Sequence, residues 1–261
     1  MNFLAQFDVL HAIAGFLVGV LVGMTGVGGG SLMTPLLVLM FGISAQTAVG
    51  TDLLYAATTK MVGTGVHGWR ATVDWKIVRR LAAGSLPAAC AALVVLSYFG
   101  RINKSAEHVI LLILGAMLVL TGCAVFFQRR LIAFALARDP LEPGTAGAST
   151  IVLGAVIGLL VSISSVGAGA IGVTALLMLY PKLPINRIVG TDIAHAVPLA
   201  LVSGFGHWLI GDVNVVLLGN LLIGSIPGVI VGSLISTRAP DGLLRPALAL
   251  VMLASGIKLL T

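Results

Sequence analysis

Apolar stretches of about 16 to 23 residues recur from one end of this chain to the other, separated by short polar connections, and about 20 such residues cross a bilayer as helix. Nothing else in the sequence narrows the fold as much. Lipid offers backbone N–H and C=O groups no partners, so a crossing segment must pair them internally, as a helix does. Only 9% of the 261 residues are charged, against roughly a quarter in a soluble domain, too few to cover a water-facing surface. The expectation is an all-α polytopic membrane protein surrounded by lipid. The formal net charge of +6 sits mostly in the connections, which is the positive-inside signature and excludes a nucleic-acid face. Cys90 and Cys123 lie within apolar runs without CxxC spacing or a nearby His, and are expected as buried small hydrophobes. The first run follows Asp8 instead of a basic segment, so no removed signal peptide is expected.

An internal repeat organises these runs. Val49-Gly50-Thr51-Asp52 returns 140 residues later as Val189-Gly190-Thr191-Asp192, and the same offset carries His67 onto His207 and Gly84-Ser85-Leu86-Pro87 onto Gly224-Ser225-Ile226-Pro227. Val27-Gly28-Gly29-Gly30 answers Val166-Gly167-Ala168-Gly169 at 139. Each half opens with two short apolar pieces around the glycines, at 9–25 and 30–42, then at 149–164 and 168–180. The second pieces reach only about 20 Å, short of a roughly 30 Å hydrocarbon core, and read as broken or re-entrant helices. Three longer runs follow in each half, at 51–66, 77–99 and 106–127, then 190–209, 214–236 and 245–260. The expected organisation is a first transmembrane repeat over 1–137, a linker over 138–147, and a second repeat over 148–261.

An odd number of crossings per half makes the second half enter the membrane upside down, and the loop charges agree. The connection after His67 holds Arg70, Lys76, Arg79 and Arg80, while its counterpart after His207 holds no Lys or Arg. Conversely, the connection before Gly190 carries Lys182 and Arg187, and the one before Gly50 is uncharged. The bias flips between halves, as inverted-topology repeats require. Cytoplasmic connections are therefore expected after His67, around 129–142 and around 238–245; Arg101 and Lys104 run against this assignment.

Gly26-Val27-Gly28-Gly29-Gly30-Ser31 marks the first break, and Ser164-Ser165-Val166-Gly167-Ala168-Gly169 the second. Small residues let a ligand approach the backbone, and a half-helix starting at a break points free N–H groups and its positive dipole end there. Two such breaks meeting at mid-membrane would make an anion site with Gly28, Gly29, Gly30, Ser31, Ser164, Ser165, Gly167 and Gly169 as binding groups. The competing explanation is close helix packing through small residues. A dinucleotide fingerprint is excluded because no strand and helix alternation surrounds the glycines. Thr51 and Thr191 follow glycine, so each reads either as an N-cap with Asp52 or Asp192 in the first turn, or as a binding group beside them. Asp52, Ala56, Lys60, Gly63 and His67 share one helix face, as do Asp192, Ala196, Ala200, Ser203 and His207. Both faces are small or polar and unsuited to lipid. Charge or proton coupling is assigned to Asp52, Lys60, Asp192 and His195, because ionisable groups inside a membrane are costly unless paired or hydrated. His67 and His207, at helix ends, suit interfacial hydrogen bonding, and Pro87, Pro198 and Pro227 suggest kinks.

These motifs, with Pro35 and Val73-Asp74-Trp75, resemble the sulfite exporter (TauE/SafE) family of bacterial and archaeal permeases, over about residues 9–260. The resemblance implies a multi-pass plasma-membrane carrier for sulfite or small organosulfur anions such as sulfonates. Ala168 stands where the first half has glycine, so the two breaks need not contact substrate equally. The alternatives are a membrane-embedded enzyme and a structural or sensing membrane protein. The histidines are scattered and no zinc-like ligand set converges, so no enzyme activity, metal or cofactor is expected.

Overall fold

The computed structural model describes residues 8–25, 30–67, 73–99, 104–137, 143–167, 169–235 and 241–261. They form α1 (Val9–Thr25), α2 (Gly30–Leu39), α3 (Ala45–His67), α4 (Trp75–Phe99), α5 (Lys104–Phe126), α6 (Gln128–Leu136), α7 (Pro143–Ser164), α8 (Ala170–Leu179), α9 (Ile185–Ile210), α10 (Val215–Ile235) and α11 (Asp241–Leu260), with no strand among the described residues. Five of these helices contain a segment long and apolar enough to cross a membrane: Trp75–Tyr98, Glu107–Phe126, Gly144–Ser164, Ile185–Ile210 and Val215–Ile235. The helices α2 and α8 have 10 residues each, a rise of about 15 Å, half of a roughly 30 Å core.

Burial is inverted relative to a soluble protein. Tyr98, Val152, Leu209, Leu234, Leu10 and Leu250 are more than half exposed, while Asp52, Asp192, His195, Ser85, Ser162 and Ser203 are buried. Apolar side chains facing outward cost nothing against lipid tails, whereas polar ones are affordable only where other protein groups receive them. The two cysteines depart from expectation: Cys90 is exposed and Cys123 half-buried, both as free thiols. Both belong to long apolar helices, and an outward position on such a helix is apolar too.

Helix starts also differ from the sequence reading. The third helix begins at Ala45, six residues before Thr51, where Ser44 Oγ accepts the Thr47 N–H at 3.4 Å. The ninth begins at Ile185 behind Pro184, whose carbonyl accepts from Ile188 at 3.1 Å. Thr51 and Thr191 therefore lie inside their helices and are not N-caps. Residues 143–147, expected as linker, belong to α7, which opens on Pro143; a proline at the first helical position is preset for the turn and loses no hydrogen bond there. Residues 138–142 lie outside the described ones. At the start of α1, Asp8 Oδ1 accepts the Leu10 N–H at 2.8 Å, which holds the Asp8 carboxyl below the usual carboxylate range.

Helix pairing follows the sequence repeat. The first helix packs on α10 and α7 on α4; α3 crosses α9 and α5 crosses α11; α10 touches α3 as α4 touches α9. Replacing α1 to α5 by α7 to α11, and the reverse, returns the same set of pairs. Glycines make the α1–α10 crossing tight: Gly15, Gly19 and Gly23 lie on the backbone of Leu221, Ser225 and Val229, and Gly224, Gly228 and Gly232 lie on that of Ala12, Phe16 and Val20. In the α4–α7 crossing, Gly84 meets Ile151, while Gly154 and Gly158 meet Leu81 and Ser85. At these positions a methyl group would overlap a facing carbonyl, so the spacing of four residues sets how closely the helices approach.

Candidate functional site

The second break is described on both sides of residue 168. The seventh helix ends at Ser164, whose Oγ donates back to Leu160 O at 2.7 Å. Ser165 then takes a left-handed backbone (φ 57) and Gly167 another positive φ of 114. A left-handed conformation costs a residue with a Cβ about 1–2 kcal/mol, so Ser165 must be held there. Its N–H donates to Val161 O at 2.7 Å and its Oγ donates to Asp52 Oδ2 at 2.9 Å. Past the break, Gly169 precedes Ala170, the first residue of α8, and Val173 N–H donates to Gly169 O at 2.9 Å.

Asp52 is thus a meeting point of both halves. Thr34 of α2 donates to the same Oδ2, so one carboxylate oxygen takes a hydroxyl from its own half and one from the other. Oδ1 has no hydrogen-bond partner among the described residues. Lys60, two turns along α3 and half-buried, acts electrostatically on Asp192, Asp52 and His195. Asp192 packs its carboxylate against Gly172 of α8. His195, one turn further along α9, shares a hydrogen bond of 2.7 Å between its Nε2 and Ser85 Oγ of α4. Tyr55 and Ser225 occupy the equivalent places in the other half; their hydroxyls act on each other without completing a hydrogen bond.

The threonines that precede the aspartates join the halves in a reciprocal way. Thr51 Oγ1 accepts the N–H of Asn214 at 3.1 Å, just before α10, and Thr191 Oγ1 accepts that of Asp74 at 2.9 Å, just before α4. Each therefore supplies an acceptor to a helix start of the opposite half, where backbone donors lack partners. Thr191 also donates to Arg187 O at 2.7 Å, and the Arg187 guanidinium meets Asp74 Oδ2 at 3.5 Å. At the far end of α9, buried His207 reaches Ser162 O through Nε2 at 2.8 Å and stands 3.4 Å from Asp212 through Nδ1. Ser162 and Ser203 share a hydrogen bond of 2.8 Å.

Of the residues expected in the site, Ser31, Asp52, Ser164, Ser165, Asp192 and His195 are buried in this region. Gly30 opens α2, and Gly167 and Gly169 form the second break. Gly28 and Gly29 lie outside the described residues, as does the side chain of His67. Four contributors were not anticipated: Thr34, Tyr55, Ser85 and Ser162. For three of them the signal was present, since the 140-residue offset maps Thr34 onto Thr174, Tyr55 onto His195 and Ser85 onto Ser225.

The arrangement suits charge transfer through protein better than covalent chemistry. It offers one half-buried lysine with two carboxylates, one imidazole and several hydroxyls that are buried, beside the second break and the start of α8. Among the described residues no three His, Cys, Asp or Glu side chains converge as metal ligands would.

A model of the family described as sulfite exporter TauE/SafE matches residues 11–259. The probable membrane transporter protein YjnA of Bacillus subtilis is 39% identical over 252 residues, covering 95% of this chain and 98% of its own length. The probable membrane transporter protein YdhB of the same organism is 30% identical over 251 residues, covering 94% and 97%. A probable membrane transporter protein of Methanocaldococcus jannaschii is 26% identical over 208 residues, covering 77% and 72%. No solved structure matches the chain.

Proposed function

The chain belongs to the sulfite exporter TauE/SafE family, and from that premise, as a multi-pass membrane transporter, we propose that it carries a small anion, sulfite or an organosulfur anion such as a sulfonate. The observation that carries this reading is the hydrogen bond from Ser165, at the second break, to Asp52 of the first half. It brings a helix break to a buried charged centre that draws on both halves.

In this proposal the anion lies between the breaks, against the backbone at Gly28, Gly29, Gly30, Gly167 and Gly169 and the hydroxyls of Ser31, Ser164 and Ser165. The N-terminal ends of α2 and α8 contribute partial positive charge. Lys60 supplies a full positive charge, which outside water attracts an anion over a longer range than in solvent. Asp52 and Asp192 balance Lys60 when the site is empty and, with His195, provide places for a coupled proton. Thr51 and Thr191 act as braces, because their hydroxyls already hold Asn214 and Asp74. One half rocking against the other then exposes the centre to each side in turn.

Opposite orientation of the halves in the plasma membrane belongs to the same proposal, with 1–137 and 148–261 as the two repeats. It is supported by the reciprocal threonine contacts. The start of α3 meets the start of α10, which follows α9, while the start of α9 meets the start of α4, which follows α3. Two helices joined in that pattern run antiparallel. The Arg187–Asp74 contact also brings a positive charge of the second half against the connection after His67, which the loop charges assign to the cytoplasm.

A thermal-shift screen across sulfite, sulfate, thiosulfate, taurine and sulfoacetate, followed by counterflow of the stabilising anions in proteoliposomes, tests the proposal. At least one sulfur oxyanion or sulfonate is expected to stabilise the protein and exchange across the bilayer. Stabilisation by none of them, with no counterflow above empty liposomes, would remove the substrate class.

A further inference from the structure

The two carboxylates of the centre are held by different chemistry. Asp52 takes hydroxyl donors from Thr34 and Ser165, with its second oxygen unpartnered among the described residues. Asp192 packs its carboxylate against Gly172 and faces the Lys60 charge. A carboxylate beside an ammonium keeps its charge because losing it strands the ammonium in a poor solvent for ions. A carboxylate held mainly by neutral hydroxyls has less to lose on gaining a proton.

The surroundings of Asp52 are otherwise sparse in charge. Its own helix carries Tyr55, Lys60 and His67, and α9 carries Arg187, Asp192, His195 and His207, the last lying against Gly50; α2, α7 and α10 contain no titratable side chain, α1 has His11, and α5 has Glu107, His108 and Cys123 besides Lys104 at its first residue. Among the described residues Lys60 alone acts on Asp52 as a charge. The hydroxyl that reaches it from the other half belongs to Ser165, the described non-glycine residue with positive φ.

We propose that Asp52, and not Asp192, takes up the coupling proton, and that Ser165 is the positioning residue that reads its state. The ionised carboxylate accepts a charge-assisted hydrogen bond from Ser165 Oγ and holds the second break in its left-handed turn. The neutral acid accepts that bond far more weakly, and the break is released. The proton enters from the aqueous side open to the centre and leaves to the opposite side, with no change of oxidation state anywhere. The link to transport rests on the carrier reading above, but the protonation and its effect on the break belong to the resting protein.

The test uses the full chain in lipid nanodiscs, without substrate. Infrared difference spectra across a pH titration are expected to show a carboxylic-acid C=O stretch that appears on acidification, is missing from Asp52→Asn and persists in Asp192→Asn. Hydrogen exchange of the Ser165 and Val166 amides, corrected for its intrinsic pH dependence, is expected to rise about tenfold over the same pH range, the loss of roughly one hydrogen bond. In Ser165→Ala the amides should exchange fast at every pH while the acid band remains. A band that survives in Asp52→Asn or vanishes in Asp192→Asn overturns the assignment of the proton, and pH-independent exchange at Ser165 overturns the link to the break. If both hold and no anion crosses the bilayer, the carrier reading falls and the switch stands.

Discussion

In the first half Asp52 is gripped by two hydroxyls, one of them from the opposite half; in the second half Asp192 rests on Gly172, where the first half has Leu32, and faces the Lys60 charge. One turn further on, the first half presents Tyr55 to Ser225 and the second presents His195 to Ser85, and the second pair completes a hydrogen bond. The frame around these positions is similar in both halves: the bracing threonines and the helix pairs exchange, as do the packing glycines Gly15, Gly19 and Gly84 with Gly154, Gly158 and Gly224. A duplicated frame has thus been kept for its geometry while the contents of its centre have diverged.

The comparison breaks most severely if the frame itself is unequal. Gly224→Leu at the α1–α10 crossing and Gly84→Leu at the α4–α7 crossing each press a side chain into a facing backbone, and each is expected to cost about 3 kcal/mol or to prevent accumulation of folded protein. Expression level and thermal midpoint in detergent check this; loss at one crossing alone would show that only one half depends on close approach. Next in size is the partition of Lys60. Double-mutant cycles of Lys60→Met with Asp192→Asn and with Asp52→Asn, read as unfolding free energies, are expected to give about 1–3 kcal/mol for the first and less for the second. Equal couplings would erase the distinction between the aspartates.

The pairs His195–Ser85 and Tyr55–Ser225 sharpen the comparison further. A cycle of His195→Ala with Ser85→Ala should show a coupling of about 1 kcal/mol, and Tyr55→Phe with Ser225→Ala a coupling near zero. The smallest difference concerns the braces. Thr51→Val and Thr191→Val remove equivalent acceptors and should each lower stability by about 1 kcal/mol, with equal shifts in thermal midpoint within error. A clear excess at Thr191 would show that its further bond to Arg187 O and the Arg187–Asp74 contact matter more than the cap.

Much of this was legible in the sequence because hydropathy and repetition are local or one-dimensional signals. The apolar runs mark the helices, and the repeat of Gly-Thr-Asp singles out Asp52 and Asp192. Helix starts were misplaced at α3 and α9 because the conspicuous Gly-Thr pair imitates a boundary, whereas the actual starts rest on Ser44 and Pro184 several residues earlier. What the threonines do instead could not be read locally, since their partners, Asn214 and Asp74, lie more than 100 residues away. The glycine ladders of α1 and α10 carry a four-residue period that a sequence can show, but not which helix they face. Thr34 was missed for a different reason: a threonine in a short apolar helix is unremarkable until the offset places it opposite Thr174.

The central claim is that a small anion crosses through the buried centre shared by Lys60, Asp192 and the two breaks. Uptake of labelled sulfite, or of the sulfonate that stabilises the protein most, into proteoliposomes bearing the native chain, Lys60→Ala or Asp192→Asn tests it directly. Saturable uptake by the native protein that falls at least about tenfold in both variants is the predicted result, a loss of roughly 1.4 kcal/mol or more at the transport step. Uptake that proceeds at the native rate in both variants would contradict it.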